Sequence, residues 1–310
     1  MNATPTFNPL MSGIATKFME DAKAFVGRRL FPTFYSGLQS ASFYVFDRVN
    51  MLDFPTDIQR APGAAYSQSQ MRISGDSYSC NDYGHVVPID DVERKKYATF
   101  FDADKSAVLR SMNIVMKNHE LRVKNLVFGG TVPTAPVSVS WADYQSSNPV
   151  LDVDAAKELV RKQIGLEVNM ITVNRDVFNA LKRHPKLIDL IKYTQTGILT
   201  EDLLAAVFGV PAGNFIVAGT LQNNAAEGQT EDPNNLWGPN MILAHTEASQ
   251  DLQAPNFGRT FNWTEMTGNA EVAVDSYRMP DRYSDFHAAK HFVSEKLVGP
   301  EAGYILQNVL

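Results

Sequence analysis

His287 and His291 stand four residues apart just after Asp285. On a helix that spacing would put both imidazoles on one face. A metal site built on them needs a third ligand and outer groups that orient the rings. No obvious third ligand lies nearby, and the HExxH arrangement is absent. Two solvated or hydrogen-bonded histidines are the plainer reading. Cys80 and His85 could in principle pair as nucleophile and base, but five residues apart on one strand they face opposite ways. Gly209-Val210-Pro211-Ala212-Gly213 faintly resembles a phosphate-binding turn, yet lacks the strand before it, the helix after it and the downstream lysine. It reads as a simple turn. Serines are plentiful, but no G-x-S-x-G elbow occurs.

The charged residues suggest contacts, not catalysis. Asp90, Asp91 and Glu93 run straight into Arg94-Lys95-Lys96, a mixed-charge surface able to meet a neighbouring subunit. Asp152 and Asp154 read as favourable charges capping a helix start. Either acidic group could also hold a cation. Arg28 and Arg29 lie in the N-terminal lead-in and Arg60 and Arg72 in a long polar stretch, the parts least able to fold alone. There a guanidinium suits bidentate contact with a carboxylate on another chain, the alternative being a solvated loop charge. The candidate inter-subunit contacts are therefore Arg28, Arg29, Phe31, Arg60, Arg72, Asp90, Asp91 and Glu93. No catalytic, cofactor-binding or metal-binding residue is assigned, and no cofactor is expected.

The 310 residues suffice for one large domain or two smaller ones, and 44% hydrophobic with 20% charged residues is ordinary globular usage. A formal net charge of -6 gives no basic footprint for tight nucleic-acid binding. Aromatic and basic residues do not interleave as a single-strand platform would require. With Cys80 alone, no intramolecular disulfide can form, consistent with a protein made in a reducing cytoplasm. Met1 to Pro9 has no secretory character, and no run approaches the roughly 20 apolar residues of a membrane helix.

The elements that must position these residues are legible in outline. Ile14 to Arg28 has helical spacing and Pro32 disfavours its continuation. Strand signals at 42–46 and 77–87 flank a polar stretch punctuated by Pro55, Pro62, Gly63 and Gly75. Such a two-stranded loop cannot be stable alone and must lie on its own body or on a neighbour. From Asp104 to Phe128 the apolar residues recur at three- and four-residue steps, with Asp102 or Asp104 as cap and Gly129-Gly130 as stop. This predicts a helix packed along a sheet. A Pro-rich linker over 131–149, anchored by Trp141, leads to helices over 154–164, 176–182, 187–193 and 200–208. Strands are expected at 170–173, 214–219, 241–245, 260–263 and 271–277, a polar surface loop at 223–238, and an ordered, extended tail from His287 to Leu310.

That order of parts resembles the major capsid proteins of tailed bacteriophages, which share the Hong Kong 97 phage capsid fold. The stretches that carry the resemblance are Phe25 to Pro32, Gly63-Ala64-Ala65, and Trp141 with Ser147-Asn148-Pro149. The most telling run continues through Met170 to Asn174, Leu181 to Pro185, Ile191-Lys192-Tyr193 and Leu203 to Val210. The resemblance implies an α+β subunit. Its parts would be an N-terminal arm (1–41), a two-stranded extension loop (42–90), a peripheral domain with a long spine helix (91–150), an axial domain (151–275) and a C-terminal return (276–310). It further implies a non-enzymatic shell protein that forms pentamers and hexamers around double-stranded DNA, contacted non-specifically. A separate scaffolding protein, a portal and decoration proteins are the implied partners, without a membrane. The implied location is the phage head, with the host cytoplasm during assembly. An encapsulin nanocompartment shares the implied fold. A soluble α/β metal-dependent hydrolase built on His287 and His291 is the rival from another class.

Overall fold

A computed structural model describes residues 6–7, 25–46, 56–70, 73–192, 199–268 and 270–310. The chain begins with β1 (Thr6–Phe7), α1 (Gly27–Leu30) and β2 (Thr33–Ser36). The paired strands β3 (Ser40–Phe46) and β4 (Ile73–Ser79) follow, then β5 (Asn81–Asp90), α2 (Asp91–Tyr97) and α3 (Ala103–Val127). Next come β6 (Thr134–Pro136), α4 (Pro149–Ile164), β7 (Met170–Asn174), α5 (Arg175–Arg183), α6 (Pro185–Ile191) and α7 (Glu201–Val207). The short strands β8 (Phe215–Ala218), β9 (Leu221–Asn223), β10 (Pro233–Asn235) and β11 (Met241–Ala244) lead to β12 (Gly258–Trp263) and α8 (Thr264–Thr267). The chain closes with β13 (Ala273–Met279), β14 (Ser284–Leu297) and β15 (Gly303–Gln307).

The spine helix α3 forms for local reasons. Asp102 accepts the Lys105 amide at 3.1 Å, which caps the start. Val108, Met112, Val115, Met116, Val123 and Val127 then make one buried stripe, and Gly130 at φ 90° follows its end. Its 25 residues span about 37 Å at 1.5 Å per residue. The N-terminal half packs on the first sheet through Val108, Met112, Val115 and Met116 against Val272, Val274 and Ala289. The C-terminal half, through Val123 and Val127, enters the main core with Val26, Leu30 and Phe31. The helix expected along a sheet is therefore observed.

The first sheet has the order β1-β13-β14-β12-β2, and β5 also pairs with β14. β14 is the organising strand: β5 runs along Ser284 to Val293, while β13 and β12 pair with its two ends. The second sheet, β6-β15-β11-β7-β8, carries α4 to α7 and buries both faces; β7, β8 and β11 are buried at every position. Its apolar runs are continuous for that reason. The C-terminal tail is ordered as expected, since Ile305, Leu306 and Val309 are in the core.

Several expectations shift. Of the helix expected over 14–28, residues 14–24 lie outside the described residues, and α1 covers only Gly27–Leu30. The paired part of the extension loop ends at Ser79; β5, expected within the loop, belongs to the first sheet. Helix α4 starts at Pro149, ahead of Asp154, because proline's missing N–H costs nothing at a first helical position. The polar loop over 223–238 holds the small β9–β10 ladder, and its end is core: Leu236 and Trp237 are buried.

Gly303 illustrates how tightly the two sheets meet. Its φ is -130°, which any residue adopts, so space and not torsion requires glycine. A Cβ there would overlap the buried Phe257 ring, which packs edge-on against Phe31 at 5.8 Å. Gly303→Ala is expected to destabilise the subunit by about 1–3 kcal/mol through overpacking, read by urea unfolding.

Candidate assembly surface and buried polar network

The hairpin β3–β4 is fixed to the body at its base, and the described residues of its loop are exposed. Phe43, Tyr78 and Cys80 bury against Phe261 of the body, with the Tyr78 and Phe261 rings stacked at 4.1 Å. Between the strands, every residue from Thr56 to Gln70 is exposed, including Ile58 and Tyr66 at 72% and 71%. The loop's order is its own: Ala64 N–H donates to Ala61 O, Arg60 donates to Ala64 O at 3.1 Å, and the Arg60 guanidinium lies 4.8 Å over the Tyr66 ring. Arg60 thus stands on a presented tip, while Arg72 lies outside the described residues.

The other expected contact residues divide. Arg28 is ion-paired to Glu271 at 2.6 Å, and Arg29 donates to Asn214 Oδ1 at 3.0 Å. Phe31 is fully buried in the subunit's own core and presents nothing to a neighbour. Asp90 caps α2 by accepting the Val92 amide at 2.8 Å. Asp91 is bound within the chain by Arg278 at 2.6 Å and Arg94 at 3.6 Å, and the Arg278 hydrogen bond holds its carboxyl below the usual range. Glu93 is exposed, beside Val92 at 73% and close in sequence to Phe100 at 81%.

The residues that could have done chemistry are otherwise engaged. His287 and His291 lie on strand β14, not on a helix. His287 bonds Ser276 Oγ at 2.9 Å and Asp104 at 2.8 Å, and Asp104 also pairs with Arg94 at 2.7 Å. Among the described residues no group of three or more His, Cys, Asp or Glu could hold a metal ion. The Cys80 thiol sits 3.4 Å from Phe261 O, and burial pushes it up to about 11, far from a ready nucleophile. The turn at 209–213 caps α7, with the Gly213 amide donating to Asp202. Asp152 accepts the Trp141 indole at 2.8 Å and so anchors the crossover; the Asn148 side chain makes no cap bond. Ser147 Oγ lies 2.9 Å from His184 Nε2, a pairing their sequence separation hid. Both are buried and no carboxylate orients the ring, so the pair reads as a structural tie.

Sequence reasoning missed the polar seam on the spine helix. Arg122 donates twice to Glu295 Oε1, at 3.1 and 2.8 Å, and lies 3.6 Å over the Tyr83 ring. It ties α3 to β14 and β5 at once. The Glu295 side chain is 5% exposed. Arg122→Ala is expected to cost about 3–5 kcal/mol, because the carboxylate loses its cation in a buried site. Arg122→Lys should recover little, since an ammonium cannot stack and bind in the same way. Denaturant unfolding at neutral pH measures both. The only early signal was the (i, i+3) placement of His119 and Arg122 beside an apolar stripe.

A long helix lying on a sheet organised by one long strand, a second helix-covered sheet and a projecting hairpin define a fold of the Hong Kong 97 capsid type. Comparison with known proteins agrees. No family model matches the chain. It is 29% identical to the major capsid protein of Burkholderia phage BcepMu, in a match covering 53% of this chain and about half, 51%, of that relative. It is 20% identical to the major capsid protein of Pseudomonas phage JBD67 over 100% of this chain and 99% of that one. Among solved structures, a phage-related protein from Bordetella bronchiseptica superposes with a TM-score of 0.75 at 21% identity, covering 99% and 98% of the two chains. The capsid of cyanophage P-SCSP1u superposes at 0.55 and 10% identity, covering 88% and 85%. The chain is thus similar in sequence to two phage major capsid proteins and has the fold of phage capsid structures.

Proposed function

We propose that this chain is a major capsid protein that assembles into pentamers and hexamers and closes an icosahedral phage head around double-stranded DNA. The observation that carries this reading is the exposed loop at 56–70, joined to the body through a hairpin packed at its base. A segment with no apolar support in its own subunit gains it from a neighbour, and a closed symmetric lattice repeats that contact many times. Full-length similarity to a phage capsid protein favours the phage head over the nanocompartment, which shares the fold. His287, engaged by Ser276 and Asp104, and the raised thiol of Cys80 argue against the hydrolase reading. The net charge of -6 suits non-specific, loose contact with packaged DNA. A separate scaffolding protein, a portal and decoration proteins are the partners we propose, with assembly in the host cytoplasm and residence in the virion. Among the described residues no helix is long and apolar enough to cross a membrane.

Negative-stain electron microscopy with size-exclusion chromatography, with and without a candidate scaffold, tests the proposal. Closed particles or ring-shaped capsomers are expected. A uniform species of one to four chains under both conditions would overturn it.

A further inference from the structure

Glu120 is fully buried in the spine helix, and among the described residues its hydrogen-bond partners are all donors. Its Oε1 accepts the Val26 amide at 3.0 Å and the Trp237 indole at 2.7 Å; its Oε2 accepts the Gly27 amide at 2.6 Å. Three separate parts of the chain therefore meet on one carboxyl: the start of α1, the spine helix, and the buried end of the 223–238 loop. The approach is built for contact. A Cβ on residue 27 would lie 2.8 Å from Oε2 and 3.3 Å from Val123, so only glycine lets the α1 backbone come this close.

No cation offsets the charge. Among the described residues Glu120 forms no ion pair, and the charged groups on the surrounding elements are turned elsewhere. Arg28 pairs with Glu271, Arg29 bonds Asn214, and His119 on the same helix faces Glu295 and Thr260. A buried carboxylate surrounded only by neutral donors is held between two preferences. The three hydrogen bonds favour the ionised form, and burial without a counter-charge favours the neutral one.

We propose that Glu120 is a proton-linked clasp that holds the start of α1 on the spine helix, closed when it carries a proton and weakened when it is ionised. Burial is the larger influence and pushes the carboxyl up to about 7 against the pull of its donors, from an ordinary 4.5. The sign follows from linkage. Opening the clasp exposes the carboxyl and returns it to its ordinary value, so the closed form binds the proton more tightly and acid favours closure. Between these limits the closing equilibrium changes by up to about 300-fold. The clasp lies within a single subunit, so its closure does not depend on shell formation.

The three tryptophans allow a direct test on the full chain. Indole-labelled NMR, with Trp237 assigned by Trp237→Phe, should show the Trp237 signal titrating with a midpoint near 7. Hydrogen exchange, corrected for intrinsic rates, should show the segment from Phe25 to Phe31 opening at least tenfold more between about pH 6 and about pH 8.5. Glu120→Gln should abolish both responses. A Trp237 signal that stays flat across that range in the wild-type chain, or that titrates unchanged in Glu120→Gln, would overturn the proposal. If Glu120→Gln does not fold, the wild-type titration and the exchange of the arm segment decide it without a variant.

Discussion

Replacing residues 56–70 by a short Gly-Ser linker abolishes closed-particle formation and leaves the subunit folded: that is the expected result for the loop. All of these residues are exposed, so the subunit loses almost no buried apolar area with them. Shortening the connection slightly lowers its closure entropy, by about 0.6 kcal/mol for each halving of length. Unfolding of the variant subunit should therefore match the wild type within about 1 kcal/mol. The deletion stops short of β4, because Ile73 and Ser74 pair with Phe46 and Val45 and the hairpin base holds the Phe43–Tyr78–Phe261 cluster. Circular dichroism and thermal unfolding report the fold; sedimentation and electron microscopy report assembly. Closed particles at wild-type yield would remove the loop from the assembly interface and leave Glu93 with the exposed Val92 and Phe100 as the surface to examine next.

What could be read from the chain follows the range of the interactions. The spine helix was legible because its cap, stripe and stop all lie within 28 residues, from Asp102 to Gly129. The hairpin was legible because β-forming residues flank a polar stretch in which no core could form. The pairing of β5 with β14 was not, since the two strands lie about two hundred residues apart and each is only partly apolar. Phe31 was misread for a related reason: beside two arginines it resembles a surface aromatic, and only the position of Phe257 reveals that it fills the core. His287 and His291 suggested a helix face because a spacing of four satisfies both periods; on a strand, too, residues i and i+4 share a face. Trp237 lay within a loop whose Gly, Pro and acidic content outweighed one aromatic, and its partner Glu120 is 117 residues away. Buried polar groups are the least legible class, because a sequence does not say which polar residue has a partner waiting.

His291→Leu is expected to stabilise the subunit, by a margin that widens as the pH falls. His291 is fully buried on β14 beside His119 of the spine helix, the ring centroids 5.4 Å apart. Neither of its ring nitrogens has a hydrogen-bond partner among the described residues. His119 does better, with Thr260 Oγ1 at 3.3 Å and Glu295 at 3.6 Å. The charged groups facing the pair are Arg122 on the same helix as His119, Arg28 on α1 and Glu295 on β14. Burial pushes His119 down to about 4, against the attraction of Glu295, and drives His291 well below its ordinary value, with His119, Arg122 and Arg28 adding to the effect. A histidine held neutral in the fold costs nothing above about pH 6.5, where the unfolded chain is also neutral. Below that, the unfolded chain takes up protons that the fold refuses, and stability falls by about 1.4 kcal/mol per pH unit for each such histidine. Glu120, whose carboxyl is raised, changes stability in the opposite direction over the same range, so the acid response of the wild-type chain alone is a poor readout. The difference between wild type and His291→Leu isolates one histidine. At about pH 7.5 it should be about 1–2 kcal/mol in favour of the variant, from removing unpartnered buried nitrogens, and by about pH 5 it should have grown by about 2 kcal/mol more. Urea unfolding of the unassembled subunit at several pH values measures it. A difference that stays constant from about pH 7.5 to about pH 5 would mean that His291 takes up a proton in the folded subunit as readily as in the unfolded chain. The seam between the spine helix and β14 would then have to open enough to hydrate a charge that its packing leaves no partner for.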